Sequence, residues 1–240
     1  MQDRYTGDIG DFGKLGLLRQ LQRNGLTIGI NWYRVPNEGH NCDGRFTDYV
    51  HNPEYARCDP ELWHCLGEII DNNQREIAAL ETGAILPAKW YSRPLDFSDS
   101  NKADRKNIRE KWHSDAVKKL EGSKLIFLDP DNGLICESAR DTKKSNKYIL
   151  VEELADYYNT GASVVYYQHQ ARREDGFYRD QHERLLSGGR FPEATAIGLK
   201  FTKTSLRYYF FIVQPQHKDL IYQSLESMLE TDWEKYFQRL

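Results

Sequence analysis

Short apolar runs alternate with helical patterns along this chain, and that alternation restricts its fold more than any other feature. The runs are "LTIGINWYRV" (26–35), "AKWYSRPLDF" (88–97), "KLIFL" (124–128), "ASVVYYQH" (162–169), "TAIGLKF" (195–201) and "LRYYFFIV" (206–213). Between them lie stretches with apolar residues at helical spacing. The first spans about residues 11 to 23, with Phe12, Leu15, Leu18 and Leu21 on one face, Asp11 as its N-cap and Asn24-Gly25 at its end. Asp59-Pro60 opens a second helix, running to about Leu80. Further helices are predicted over about 103–120, 150–158 and 174–186, and a last one from Pro215. Pro94 marks its run as an edge strand or a strand end. Strand and helix in alternation make an α/β, Rossmann-like fold: an open, mostly parallel sheet with helices on both faces. The final two runs form a C-terminal antiparallel pair across the turn at Thr202 to Ser205. The whole of 1–240 reads as one domain, with a long loop at about 36–58 and a helical segment at about 60–121.

A net charge of −3 argues against binding a polyanion with the whole surface, yet leaves room for a local basic patch. No apolar stretch approaches the roughly 20 residues of a spanning helix, so no membrane partner is expected. The polar, acidic opening "MQDRYTGDIG" is unlike a secretory signal, and a cytoplasmic location is the expectation. The four cysteines have no disulfide-framework spacing. The sequence leaves the oligomeric state unspecified.

In open α/β sheets ligands sit beyond the carboxyl ends of the strands. "IFLDPDNGL" (126–134) puts Asp129, Pro130, Asp131, Asn132 and Gly133 at such an end. Turns favour these residue types, so a plain turn is the competing reading. The next run ends at His169, followed by Arg172 and Arg173, an acid/base group beside a phosphate clamp or simply a connecting loop. The first run leads to His40, Asn41 and Asp43. Ahead of it, "TGDIGDFGK" carries Asp8, Asp11 and Lys14 among glycines that permit close approach to a ligand. The helix "KADRKNIREKWHSDAVKK" is basic and holds Trp112, which suits either nucleic acid or a solvated face.

"LIFLDPDNGL" resembles the strand ending in Asp-Pro-Pro-Tyr of the amino-group methyltransferases that act on adenine in DNA or RNA, with Asp131 and Asn132 in place of the second proline and the aromatic residue. "RYTGDIGDFGKLGLLRQL" is similar to the opening of the large-subunit ribosomal RNA adenine-N6 methyltransferases, with Lys14 at the matching lysine. The resemblance implies a methyltransferase fold, S-adenosylmethionine as cofactor and a nucleic-acid substrate, DNA or RNA. On that reading Asp129, Asp131, Asn132 and His169 form the catalytic group. Asp8, Lys14, His40, Asn41 and Asp43 hold the cofactor, and Arg172 and Arg173 contact nucleic acid.

Two alternatives stay open. Asp129, Asp131 and Asp43 together could bind magnesium or manganese and activate water, as in a metal-dependent nuclease or other hydrolase. The chain could also be a catalytically inactive methyltransferase-like module that only binds.

Overall fold

A computed structural model of the chain describes residues 1–38, 44–174 and 176–240. Its centre is a seven-stranded sheet built from β1 (Ile28–Asn31), β2 (Ala88–Tyr91), β3 (Leu125–Leu128), β6 (Ser163–His169), β7 (Thr195–Phe201), β8 (Arg207–Val213) and β9 (Phe237–Arg239). The strand order is β2-β1-β3-β6-β8-β7-β9. The four strands β2, β1, β3 and β6 run parallel. β8 is antiparallel to β6, β7 to β8, and β9 to β7. A second, two-stranded parallel sheet joins β4 (Gly133–Leu134) to β5 (Tyr148–Ile149). The α/β, Rossmann-like architecture with its C-terminal antiparallel strands is thus the one the alternation implied.

Side chains alternate across a strand, and here each face meets its own core. Ile28, Ile30, Leu125, Phe127, Val165, Tyr209 and Phe211 face α1 (Ile9–Arg23), α2 (Pro60–Asp71), α3 (Ile77–Leu80) and α7 (Lys218–Leu229). Ile126, Leu128, Val164, Tyr166, Phe210 and Ile212 face α4 (Lys102–Leu120), α5 (Val151–Asn159) and α6 (Phe177–Ser187). Strands buried on both sides read as unbroken apolar runs, as "VVYY" and "YYFFIV" do.

Several boundaries differ from the sequence expectation. Asp8, not Asp11, caps α1, its carboxylate accepting from the backbone N–H groups of Gly10 and Asp11. Asp59 caps α2 as expected, with Pro60 at the first position. That helix stops at Asp71, because Asn73 turns into the left-handed region at φ 54°, and α3 follows separately. The first strand is confined to Ile28–Asn31, since Tyr33 also has positive φ, 44°, and ends the extended backbone. β2 lies at the sheet edge, as Pro94 suggested. The 36–58 segment carries 3-10 turns at Asp48–His51 and Tyr55–Arg57. β4, β5 and β9 are too short to leave a periodic signal. No helix among the described residues is long and apolar enough to cross a membrane.

Candidate functional site

The carboxyl ends of the parallel strands β3 and β6 open on a cavity of about 420 Å³. It is lined by Asp8 and Lys14 from the start of α1, by Asp129 to Asn132 after β3, and by Tyr167 and His169 at the end of β6. Arg207, at the start of β8, completes the wall. The bend after β3 and the tip at His169 therefore share a hollow with the N-terminal motif. Of the expected site residues, Asp8, Lys14, Asp129, Asp131, Asn132 and His169 come together. His40, Asn41 and Asp43 lie outside the described residues. Arg172 and Arg173 are exposed beyond β6 and do not line the cavity; Arg173 sits 5.0 Å over the ring of Phe177. The arginines that line the cavity are instead Arg4 and Arg207, beside Lys14 and Lys147.

Lys14 is the electrostatic centre. Its Nζ lies 2.6 Å from Asp129 Oδ2 and 2.9 Å from Asp11 Oδ1, and all three side chains are buried. Burial alone would lower the lysine pKa, but Asp11 and Asp129 hold it above its ordinary value. Burial raises the pKa of Asp129 despite that ammonium, and raises Asp11 in the same way. Asp11 also accepts from the backbone N–H of Gly7, which fastens the turn before α1.

Asp131 behaves oppositely. Burial pushes it up, but the Met1 ammonium at 2.8 Å, the Gln2 side-chain amide and Lys147 outweigh burial and hold it below the usual carboxylate range. The Met1 nitrogen also donates to the carbonyls of Tyr33 and Asp129, each at 3.1 Å. Its thioether sulfur lies 3.8 Å from Lys14 Nζ. This corner thus grips an amine with two carbonyls and a carboxylate.

The bend itself is braced. Gln168 accepts from the N–H of Leu134 and donates to the carbonyl of Asn132, both at 2.9 Å. The N–H of Asn132 donates to the Lys147 carbonyl at 3.1 Å. Gly133 has φ +103°, and a Cβ there would overlap the Gln168 amide. The Tyr167 phenol, pushed up to about 12 by burial, stays protonated and lies 3.3 Å from His169 Nδ1. Arg207 approaches Asp8 at 3.8 Å, and burial's downward pull on it is outweighed by Tyr167 and Asp8.

Among the described residues no group of three or more His, Cys, Asp or Glu stands together as a metal-ligand set. Asp129 and Asp131 each face an ammonium rather than each other. On α4, Trp112 is buried and donates its indole N–H to the Arg93 carbonyl, and Arg109 is buried against Glu153. The Trp112 ring is therefore core, and Arg109, which borders a second cavity, is committed to Glu153.

Sequence reading missed Arg207, Lys147, Met1 and Gln2. Arg207 opens an apolar strand and Lys147 follows a polar turn, so no local pattern marks either. Tyr167 could be inferred from its place two residues before His169 at a strand's carboxyl end.

The fold and cavity define an α/β protein with a charged ligand crevice at the carboxyl ends of its parallel strands. No family model matches the sequence. No curated protein matches it either. Among solved structures, the chain is similar to protein LPL1258 from Legionella pneumophila str. Philadelphia 1, of the family model DUF519. The two share 13% identity over 98% of this chain and 96% of that one, with a TM-score of 0.44.

Proposed function

We propose that the protein is a nucleic-acid-modifying enzyme that transfers a methyl group from S-adenosylmethionine to an exocyclic base amine. The observation that carries this reading is the corner between β1 and β3. It already holds a methionine, with the amine on the Tyr33 and Asp129 carbonyls and the Asp131 carboxylate, and the sulfur beside Lys14. A donor whose tail is itself a methionine fits the same contacts by exchange with Met1. The cavity volume of about 420 Å³ suits a ligand of nucleoside size.

When bound, the cofactor supplies an electrophilic methyl group. The chain's own residues then have distinct tasks. Asp131, kept ionised by its surroundings, takes the cofactor's amino group. Asp129, whose proton affinity burial raises, accepts a hydrogen bond from the substrate amine and aligns its lone pair. Asn132 adds a second polar contact on the same bend. Gln168 holds that bend in place through the carbonyl of Asn132 and the N–H of Leu134. The cofactor's carboxylate, borne on the same carbon as its amino group, would fall to Lys147, whose ammonium lies 3.8 Å from Asp131.

Isothermal titration with S-adenosylhomocysteine tests the reading. Binding should be saturable, and Asp131→Asn should weaken it about tenfold, the loss of one charge-assisted contact. No heat at high protein concentration overturns the proposal.

A further inference from the structure

We infer that Phe46 and Arg45 form a clasp for one unpaired nucleotide at the mouth of the cavity, a step that rests on the nucleic-acid reading above. Most phenylalanine rings among the described residues are hidden: Phe12, Phe127, Phe201, Phe210 and Phe211 are at most 1% exposed. Phe46 is 42% exposed, the only aromatic among the exposed large hydrophobic residues of the described chain. It also lines the cavity.

Its exposure does not come from a loose segment. The Phe46 carbonyl accepts from the N–H of Ile9 at 2.9 Å, which pins it to the first turn of α1. The N–H of Thr47 donates to the Arg45 carbonyl at 2.9 Å. The Gly44 carbonyl accepts from the guanidinium of Arg75, which also binds the carbonyls of Arg4 and Thr6. Gly44 has φ +82° and packs so closely on the Arg4 backbone that a side chain there would collide with it. The backbone is fixed, and the ring it presents is left to water.

Beside the ring stands a cation. The Arg45 guanidinium lies 5.6 Å from the Phe46 ring centroid, is exposed, and makes no salt bridge among the described residues. An aromatic face next to a cation is the pairing that receives a base and its phosphate. Behind the clasp, the polar bend from Asp129 to Asn132 faces the base edge. A base reaches that depth only if it has left its stack, so the substrate is single-stranded or looped nucleic acid, not continuous duplex. The chain's net charge of −3 leaves phosphate contact to such local cations.

The test is a fluorescence titration of the full chain with single-stranded DNA and RNA oligonucleotides carrying 2-aminopurine, and with the matching duplexes. Wild type should bind at least one single strand more tightly than its duplex. Phe46→Ala should weaken that binding about tenfold or more, and Phe46→Trp should keep it. Arg45→Gln should flatten the salt dependence by about one phosphate contact. Both side chains are exposed, so the variants should fold, which circular dichroism checks. If Phe46→Ala binds within twofold of wild type, or wild type binds no single strand, the clasp is wrong. The S-adenosylhomocysteine titration of wild type stands apart from this. Oligonucleotide binding that needs Phe46 without analogue binding removes the methyl-donor reading and keeps the clasp; analogue binding with an indifferent Phe46 does the reverse.

Discussion

Lys14 lies between two buried carboxylates, and removing its charge strands both of them. Asp11 and Asp129 would remain in a site that already raises their pKa values. Breaking a buried pair by deleting one partner costs about 3–5 kcal/mol. Lys14→Met should therefore lower the urea unfolding free energy by about that amount, and a loss below about 1 kcal/mol would contradict the ion network described. A different residue sets part of the pH dependence. His182 is buried, with Nε2 facing the Phe211 carbonyl and Nδ1 near the Tyr166 hydroxyl. Burial lowers its pKa from 6.5 to about 4. The unfolded chain takes up the proton near 6.5 and the folded chain does not. The stability this neutral imidazole preserves is complete above pH 6.5 and is lost as pH falls towards about 4, on the order of 3 kcal/mol in all. His182→Asn should flatten the change in unfolding free energy between pH 7 and pH 4.5, whatever its effect at either pH alone. An unaltered slope in the variant would show that other groups carry it.

Among the elements, the bend from Asp129 to Leu134 depends on one glycine. Gly133→Ala would place a Cβ against Gln168 on a backbone with φ +103°, at a cost of about 1–3 kcal/mol. Thermal unfolding should show the loss, and the variant should also bind S-adenosylhomocysteine less well than wild type, because the bend lines the cavity. The elements that sequence revealed share a physical property: each is long enough to express its period. α1 was legible because its apolar spacing repeats over a whole face, β6 and β8 because burial on both sides leaves unbroken apolar runs, and α4 as a charged run that stops at a glycine. β4 and β5 have two residues each and no period to read. β9 was missed because "FQR" contributes one buried ring, Phe237, whose packing 5.0 Å from Phe201 is a long-range contact. Asp11 was misread as the cap because Asp8 and Asp11 have the same local chemistry. Only the tertiary position of Lys14 assigns Asp11 to the buried network. The site was legible in part for the same reason. Placement at strand ends revealed Asp129 and His169, whereas Arg207 comes from an antiparallel strand that the parallel-sheet rule does not cover.

Across the whole molecule, one sheet supplies both cores. Phe127 belongs to one and its neighbour Leu128 to the other. Neither core can dissolve while the other keeps its strands, so unfolding should be a single event. Near-ultraviolet circular dichroism, which reads the aromatic packing, and far-ultraviolet circular dichroism, which reads the backbone, should give the same urea midpoint. Two separated midpoints would show that the chain is not one cooperative domain. The Gln168 side chain carries a last implication. It belongs to a central strand yet bonds to the backbone on both sides of Gly133. The cavity's rim therefore inherits the permanence of the middle of the protein and behaves less like a flap than like a socket cast with the rest. Whatever enters must match a bend fixed before it arrives.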